Sequence, residues 1–180
     1  MKKLLIIIML LIPVLLFSQS PLSKGVYTVG GSISLSAISE EDDDDTIIIF
    51  ALSPNVGYFF IDNIYTSLLL SYSYYSSGSN SSNLYGFGPM VRYYFNGEKL
   101  HPYLGASYLY NYYKYDNSSK NSSSDYTLMI GADYFVTKYF AFEASADYTF
   151  RNNHSESGSF SNDRKSKLFN LSIGARYFIY

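Results

Sequence analysis

The sequence predicts an all-β domain, an eight-stranded antiparallel up-and-down transmembrane β-barrel. Three observations lead there. Apolar residues recur at every second position in eight successive segments, and the connections between those segments alternate long and short. The composition is rich in Tyr (21) and Phe (13), lacks Trp, and holds only 16% charged residues, against about a quarter in ordinary soluble domains. Beyond residue 20 no sustained 3.6-residue apolar stripe appears, so the period-two pattern decides for strands.

The N-terminal stretch reads differently. Met1-Lys2-Lys3 is basic, the 14 residues from Leu4 to Phe17 are almost wholly apolar, and Ser18-Gln19-Ser20 are small or polar. That layout predicts a secretory signal over residues 1–20, cleaved after Ser20 or, alternatively, after Ser18. A spanning helix needs roughly 20 apolar residues, and Pro13 interrupts this run. Residues 21–180 then form the barrel domain. Without Lys2 and Lys3, 11 basic residues stand against 15 acidic ones, a net charge of −4, which argues against nucleic-acid binding. The absence of Cys excludes a disulfide scaffold and thiol chemistry. An exported chain without disulfides needs another source of stability, and a closed hydrogen-bonded sheet in lipid supplies one.

The first strand alternates Tyr27, Val29, Ile33, Leu35 and Ala37 with Thr28, Gly30, Ser32, Ser34 and Ser36. The second, from about residue 47 to 60, sets Phe50, Leu52, Val56, Tyr58 and Phe60 against Ser53, Asn55 and Gly57. The third opposes Leu68, Leu70, Tyr72 and Tyr74 to Ser67, Ser71 and Ser73. The fourth opposes Tyr85, Phe87, Pro89, Val91, Tyr93 and Phe95 to Gly86, Gly88 and Arg92. In the fifth, Leu104, Ala106, Tyr108, Tyr110 and Tyr112 face away from Gly105, Ser107 and Asn111. The sixth places Leu128, Ile130, Ala132 and Tyr134 opposite Thr127, Gly131 and Asp133. The seventh places Phe142, Ala144, Ala146, Tyr148 and Phe150 opposite Glu143, Ser145, Asp147, Thr149 and Arg151. The eighth pairs an apolar face of Phe169, Leu171, Ile173, Ala175, Tyr177 and Ile179 with Asn170, Ser172, Gly174 and Arg176.

Connections one, three, five and seven are long (39–45, 76–83, 116–125, 152–166). Connections two, four and six are short (61–63, 96–99, 136–138), and Asn96-Gly97 is a tight-turn dipeptide. Membrane barrels carry long external loops and short periplasmic turns, so both termini belong on the periplasmic side. The face with small residues belongs inward, because eight strands enclose room only for side chains. The apolar face, with its many rings, belongs to lipid. Tyr58, Phe60, Tyr93, Phe95 and Tyr177 fall near the short-turn rim, and Tyr74, Tyr85, Tyr112, Tyr126 and Phe150 near the other, as two aromatic girdles require.

From Gly25 to Tyr180 the chain resembles small bacterial outer-membrane barrels of the kind formed by the outer-membrane protein A transmembrane domain and outer-membrane protein X. The segments Ser53-Pro54-Asn55-Val56-Gly57-Tyr58-Phe59 and Pro102-Tyr103-Leu104-Gly105-Ala106 look like strands of that family. So does the last strand, Ser172-Ile173-Gly174-Ala175-Arg176-Tyr177-Phe178-Ile179-Tyr180. The resemblance makes this end an assembly signal read by the barrel-assembly machinery, through Ser172, Gly174, Tyr177, Ile179 and Tyr180. The family usually ends in Phe, where this chain has Tyr180. It also implies residence in the bacterial outer membrane as a monomer in contact with lipid, and a structural or surface-interaction role in which the long loops meet an extracellular ligand. A small porin-like channel, a lipid-modifying outer-membrane enzyme and a secreted soluble barrel are the alternatives.

By parity Arg92, Asp133, Glu143, Asp147, Arg151 and Arg176 point inward. Isolated charges in a narrow interior are costly, so they should pair, with Arg92 and Arg176 opposite Glu143 and Asp133. Such a network either fills a closed lumen or lines a narrow ion path. Glu143 and Asp147 stand four residues apart on one strand face, about 13 Å, too far for an acid–base pair. The run Glu40-Glu41-Asp42-Asp43-Asp44-Asp45 reads as a solvated loop tip or a weak site for Ca²⁺ or Mg²⁺. His101 and His154 are the two histidines, and His154 has Ser155 and Ser157 beside it. No orienting acid or oxyanion site accompanies them, so no catalytic residue, cofactor or metal ligand is assigned.

Overall fold

The structure, a computed structural model, describes residues 20–39, 46–77, 80–114, 120–157 and 160–180. The signal assigned to residues 1–20 lies, but for Ser20, outside the described residues, as does the acidic run 40–45. Eight strands form in chain order: β1 (Tyr27–Ser39), β2 (Thr46–Ile61), β3 (Ile64–Ser77), β4 (Asn80–Tyr94), β5 (Leu100–Lys114), β6 (Lys120–Thr137), β7 (Phe140–Ser157) and β8 (Phe160–Ile179). Each pairs antiparallel with the next, and β1 closes on β8 from Tyr27↔Ile179 to Ile33↔Ile173. Among the described residues no helix is long and apolar enough to cross a membrane.

The faces divide as the alternation requires. Leu70, Val91, Ile130 and Ile173 point outward at 45–65% exposure, whereas Arg92 and Glu143 on the other face are buried at 5% and 7%. A soluble barrel would show the reverse. Phe60, Tyr93, Phe95 and Tyr177 are exposed at one rim, and Tyr74, Tyr85, Tyr112, Tyr126 and Phe150 at the other. Tyr58 is half-buried, its ring 4.7 Å from that of Tyr27.

Two prolines interrupt the ladder where they lack a donor. The β2–β3 register passes from Leu52↔Tyr72 to Asn55↔Leu69 across Pro54, and β4–β5 passes from Phe87↔Tyr110 to Met90↔Ser107 across Pro89. At the short-turn rim Asn63 takes φ 65°, a left-handed conformation that Asn tolerates.

Two expectations are corrected. The connections 76–83, 116–125 and 152–166 are largely strand: β3 reaches Ser77, β4 starts at Asn80, β6 at Lys120, β7 ends at Ser157 and β8 begins at Phe160. Pairs such as Ser76↔Ser81 and Ser155↔Asn162 continue the ladders there. Ser- and Asn-rich segments read as loop by composition, yet backbone pairing continues beyond the lipid band whatever the side chains are. The second correction concerns the lumen. It is not lined by small polar residues and charges throughout. Phe59, Tyr65, Tyr94, Tyr103, Phe135 and Phe178 fill its short-turn end, with Met90 and Met129 above them. A closed interior left empty would forfeit packing contacts, and these rings occupy it.

Ile130 lies midway between the exposed Tyr126 and Tyr134 on β6, hence near the middle of the hydrocarbon band. Ile130→Arg is expected to cost about 2–4 kcal/mol, and Tyr134→Arg at the girdle about 0–1 kcal/mol. Urea unfolding in lipid vesicles measures both; equal costs would contradict the assignment of depth.

Candidate functional site

Consecutive aromatic pairs build the floor of the lumen. In Phe59-Phe60, Tyr93-Tyr94, Tyr134-Phe135 and Tyr177-Phe178 one ring points to lipid and its neighbour inward, because successive strand residues face opposite ways. Phe59 lies 5.2 Å from Tyr65, 5.6 Å from Tyr94 and 6.4 Å from Phe178, centroid to centroid. Phe135 meets Phe178 at 4.8 Å and His101 at 5.0 Å. The segment before β1 closes this layer from below. Leu22 and Val26 are buried in it, and Gly25 N–H donates to Phe59 C=O at 2.9 Å. Asn63 N–H donates to Leu22 C=O at 2.8 Å, and Lys24 N–H to Asp62 Oδ1 at 2.7 Å.

On top of the rings sit four charges from four strands. Arg92 on β4 grips Glu143 on β7 through two bonds, Nη2 to Oε1 at 2.8 Å and Nη1 to Oε2 at 2.9 Å. Arg176 on β8 donates Nη2 to the same Oε2 at 2.7 Å. Its Nε lies 3.5 Å from Asp133 Oδ2 on β6. The phenols of the floor reach up: Tyr103 donates to Glu143 Oε1 at 2.9 Å and Tyr94 to Asp133 Oδ2 at 3.0 Å. Arg176 Nη1 also donates to Tyr65 Oη at 2.7 Å and Asn55 Oδ1 at 3.0 Å. The Arg92 guanidinium lies 4.2 Å from the Tyr103 ring centre. Two cations and two anions leave the cluster neutral, and shared hydrogen bonds offset part of its desolvation, although Arg92 Nε, Arg176 Nε and Asp133 Oδ1 make none.

The six inward charges therefore do not form one network. Arg92, Asp133, Glu143 and Arg176 come together. Arg151 instead pairs with Asp125, Nη2 to Oδ2 at 2.7 Å and Nε to Oδ1 at 2.8 Å. Asp125 lies in a segment whose composition predicts a loop; the Tyr126-Thr127 alternation continues back to it and marks it as inward-facing. Asp147 accepts hydrogen bonds from Ser145 and Ser172, both at 3.2 Å. The inward rings Phe59, Tyr94, Phe135 and Phe178 escaped sequence reasoning, although the aromatic doublets mark them.

Of the residues that the family resemblance makes an assembly signal, Ser172 and Gly174 face inward while Tyr177 and Ile179 are exposed. A Cβ at Gly174 would lie 2.6 Å from Gly31 C=O, so the β1–β8 closure itself demands glycine there. The Tyr180 hydroxyl donates to Lys138 C=O at 2.7 Å. His101 is buried beside Phe135 at the floor. His154 belongs to β7, opposite Asp163 of β8, rather than to a loop.

Glu143→Ala leaves two buried guanidinium groups facing each other without their shared carboxylate. We expect a loss of about 3–5 kcal/mol, read as an earlier guanidinium midpoint in micelles; an unchanged midpoint would remove the cluster from the list of stabilising elements.

Comparison with known proteins places this geometry. No curated protein matches the chain. Among solved structures, outer membrane protein OprG from Pseudomonas aeruginosa superposes with a TM-score of 0.60 at 16% identity, covering 88% of this chain and 97% of its own. Neisserial surface protein A gives 0.58 at 23% identity, covering 86% and 97%. Outer membrane protein AlkL, solved in lipid bilayers, gives 0.58 at 14% identity, covering 90% and 93%. These likenesses show the fold. A family described as the outer membrane protein beta-barrel domain matches residues 9–177. The chain, with its lipid-facing exterior and charge-filled lumen, belongs to the outer membrane protein beta-barrel domain family.

Proposed function

We propose that this protein is a non-conducting outer-membrane barrel with a structural and surface-interaction role. It is exported by a cleaved signal over residues 1–20, folded with the barrel-assembly machinery and monomeric in outer-membrane lipid. The observation that carries this reading is the closed floor of the lumen. Three stacked barriers support it: the Arg92–Glu143–Arg176–Asp133 cluster, the ring layer below it, and the turn at Leu22–Val26 beneath. Passage of a hydrated ion would require parting two bonds of Arg92 to Glu143 and displacing rings that touch from several strands. At the opposite end β7 and β8 continue to Ser157 and from Phe160. Such hairpins project past the outer girdle and offer a surface to an extracellular ligand.

A small channel is the second reading, favoured by the charged chamber above the floor. Planar-bilayer recording of the full chain separates the two. We expect no steady conductance steps from wild type; discrete, reproducible openings would overturn the non-conducting reading. This barrel has no catalytic role in that reading. His154→Ala is accordingly expected to leave lipid A and phospholipid composition unchanged when outer membranes are extracted and compared by mass spectrometry; altered acylation would restore the enzyme alternative.

A further inference from the structure

Above the charge cluster the lumen widens into a chamber of about 140 Å³. A water needs roughly 10–15 Å³ of such space, so the chamber has room for an ion and its hydration shell. Its wall carries the hydroxyls of Ser32, Ser53, Ser71, Ser107, Ser145 and Ser172. Four of its lining charges cancel in pairs. Arg92 binds Glu143 at the floor, and Arg151 binds Asp125 nearer the outer end. Asp147 lies between these pairs on β7, four residues from each of Glu143 and Arg151. Ser145 and Ser172 each donate to its Oδ2 at 3.2 Å. Among the described residues no cationic side chain forms an ion pair with Asp147.

We propose that the chamber is a binding site for a small, singly charged cation held by Asp147. A partly buried carboxylate inside a protein calls for a counter-charge. The described lining carries one uncompensated negative charge, so one positive charge neutralises it. Serine oxygens and retained water complete an all-oxygen shell, the donor set suited to hard cations. The two hydroxyls on Oδ2 fix the carboxylate so that it faces a ligand without reorienting. Nothing in this assignment requires conduction, and it stands whether the floor is sealed or not.

The test uses the full chain in lipid nanodiscs. Backbone amide shifts of Ser145, Asp147 and Ser172 are followed by NMR during titration with KCl at constant ionic strength. N-methyl-D-glucamine chloride, whose cation is too bulky for the chamber, makes up the balance. Saturable shifts confined to the chamber are expected for wild type. They should vanish in Asp147→Asn, whose folded state is checked by its migration on unheated gels. In the double variant Ser145→Ala/Ser172→Ala the apparent K⁺ affinity should fall about fivefold or more, the loss of one or two hydrogen bonds that orient the carboxylate; this arm also decides if Asp147→Asn does not fold. Linear shifts with K⁺, or shifts retained in Asp147→Asn, would overturn the site. Saturation by MgCl₂ at lower concentration than by KCl would overturn its assignment to a singly charged ion.

Discussion

Hydrocarbon offers no partner to an unpaired amide or carbonyl, and each one left bare there costs several kcal/mol. The closed ladder from β1 through β8 and back to β1 answers that constraint, and the other features of this barrel follow from it. Closure forces the strands to alternate between lipid and lumen. It brings backbones close enough that Gly174 has no room for a side chain beside Gly31. It also confines Pro54 and Pro89 to places where a ladder bond is skipped.

A closed ring of eight strands encloses a narrow space, and that space must be filled. This chain fills it in layers. Rings occupy the end nearest the termini, and their hydroxyls turn upward to the carboxylates of Glu143 and Asp133. Arg92 on β4 reaches Glu143 on β7, and Arg176 on β8 reaches Asp133 on β6, linking strands that the ladder does not pair. The cluster is neutral, which keeps the desolvation of four ionised groups tolerable. Above it the packing loosens into a chamber walled by hydroxyls and aliphatic side chains, where Asp147 has hydroxyl partners but no ion pair. The ring layer thus gives way to a chamber whose inward residues are mixed, serine and threonine hydroxyls alternating around the wall with Leu69, Leu109 and Leu168.

The N-terminal turn shows how segments outside the strands are recruited by the same rule. Leu22 and Val26 are buried because the ring layer would otherwise meet water from below. Their backbone groups bond to Asn63 and Phe59, so the closure of the floor and the first short turn are one unit.

Much of this was legible in the sequence because a strand has a period of two. Parity alone assigned Arg92, Asp133, Glu143, Asp147, Arg151 and Arg176 to the inside, and the breadth of the Tyr- and Phe-rich face assigned it to lipid. Strand number and order followed from the repeated pattern. Parity is blind to height and to neighbours across the lumen. It could not find the partner of Arg151, because composition placed Asp125 in a loop although the β6–β7 register sets it directly opposite, nor could it leave Asp147 without an ion pair. It also gave no weight to the second ring of each aromatic doublet, because one residue cannot signal both faces. The ends of the outer hairpins were misjudged because composition reports solubility, whereas pairing beyond the membrane is decided by which backbone lies alongside. Local chemistry determined what faces where; only the closed tertiary structure decided what meets what.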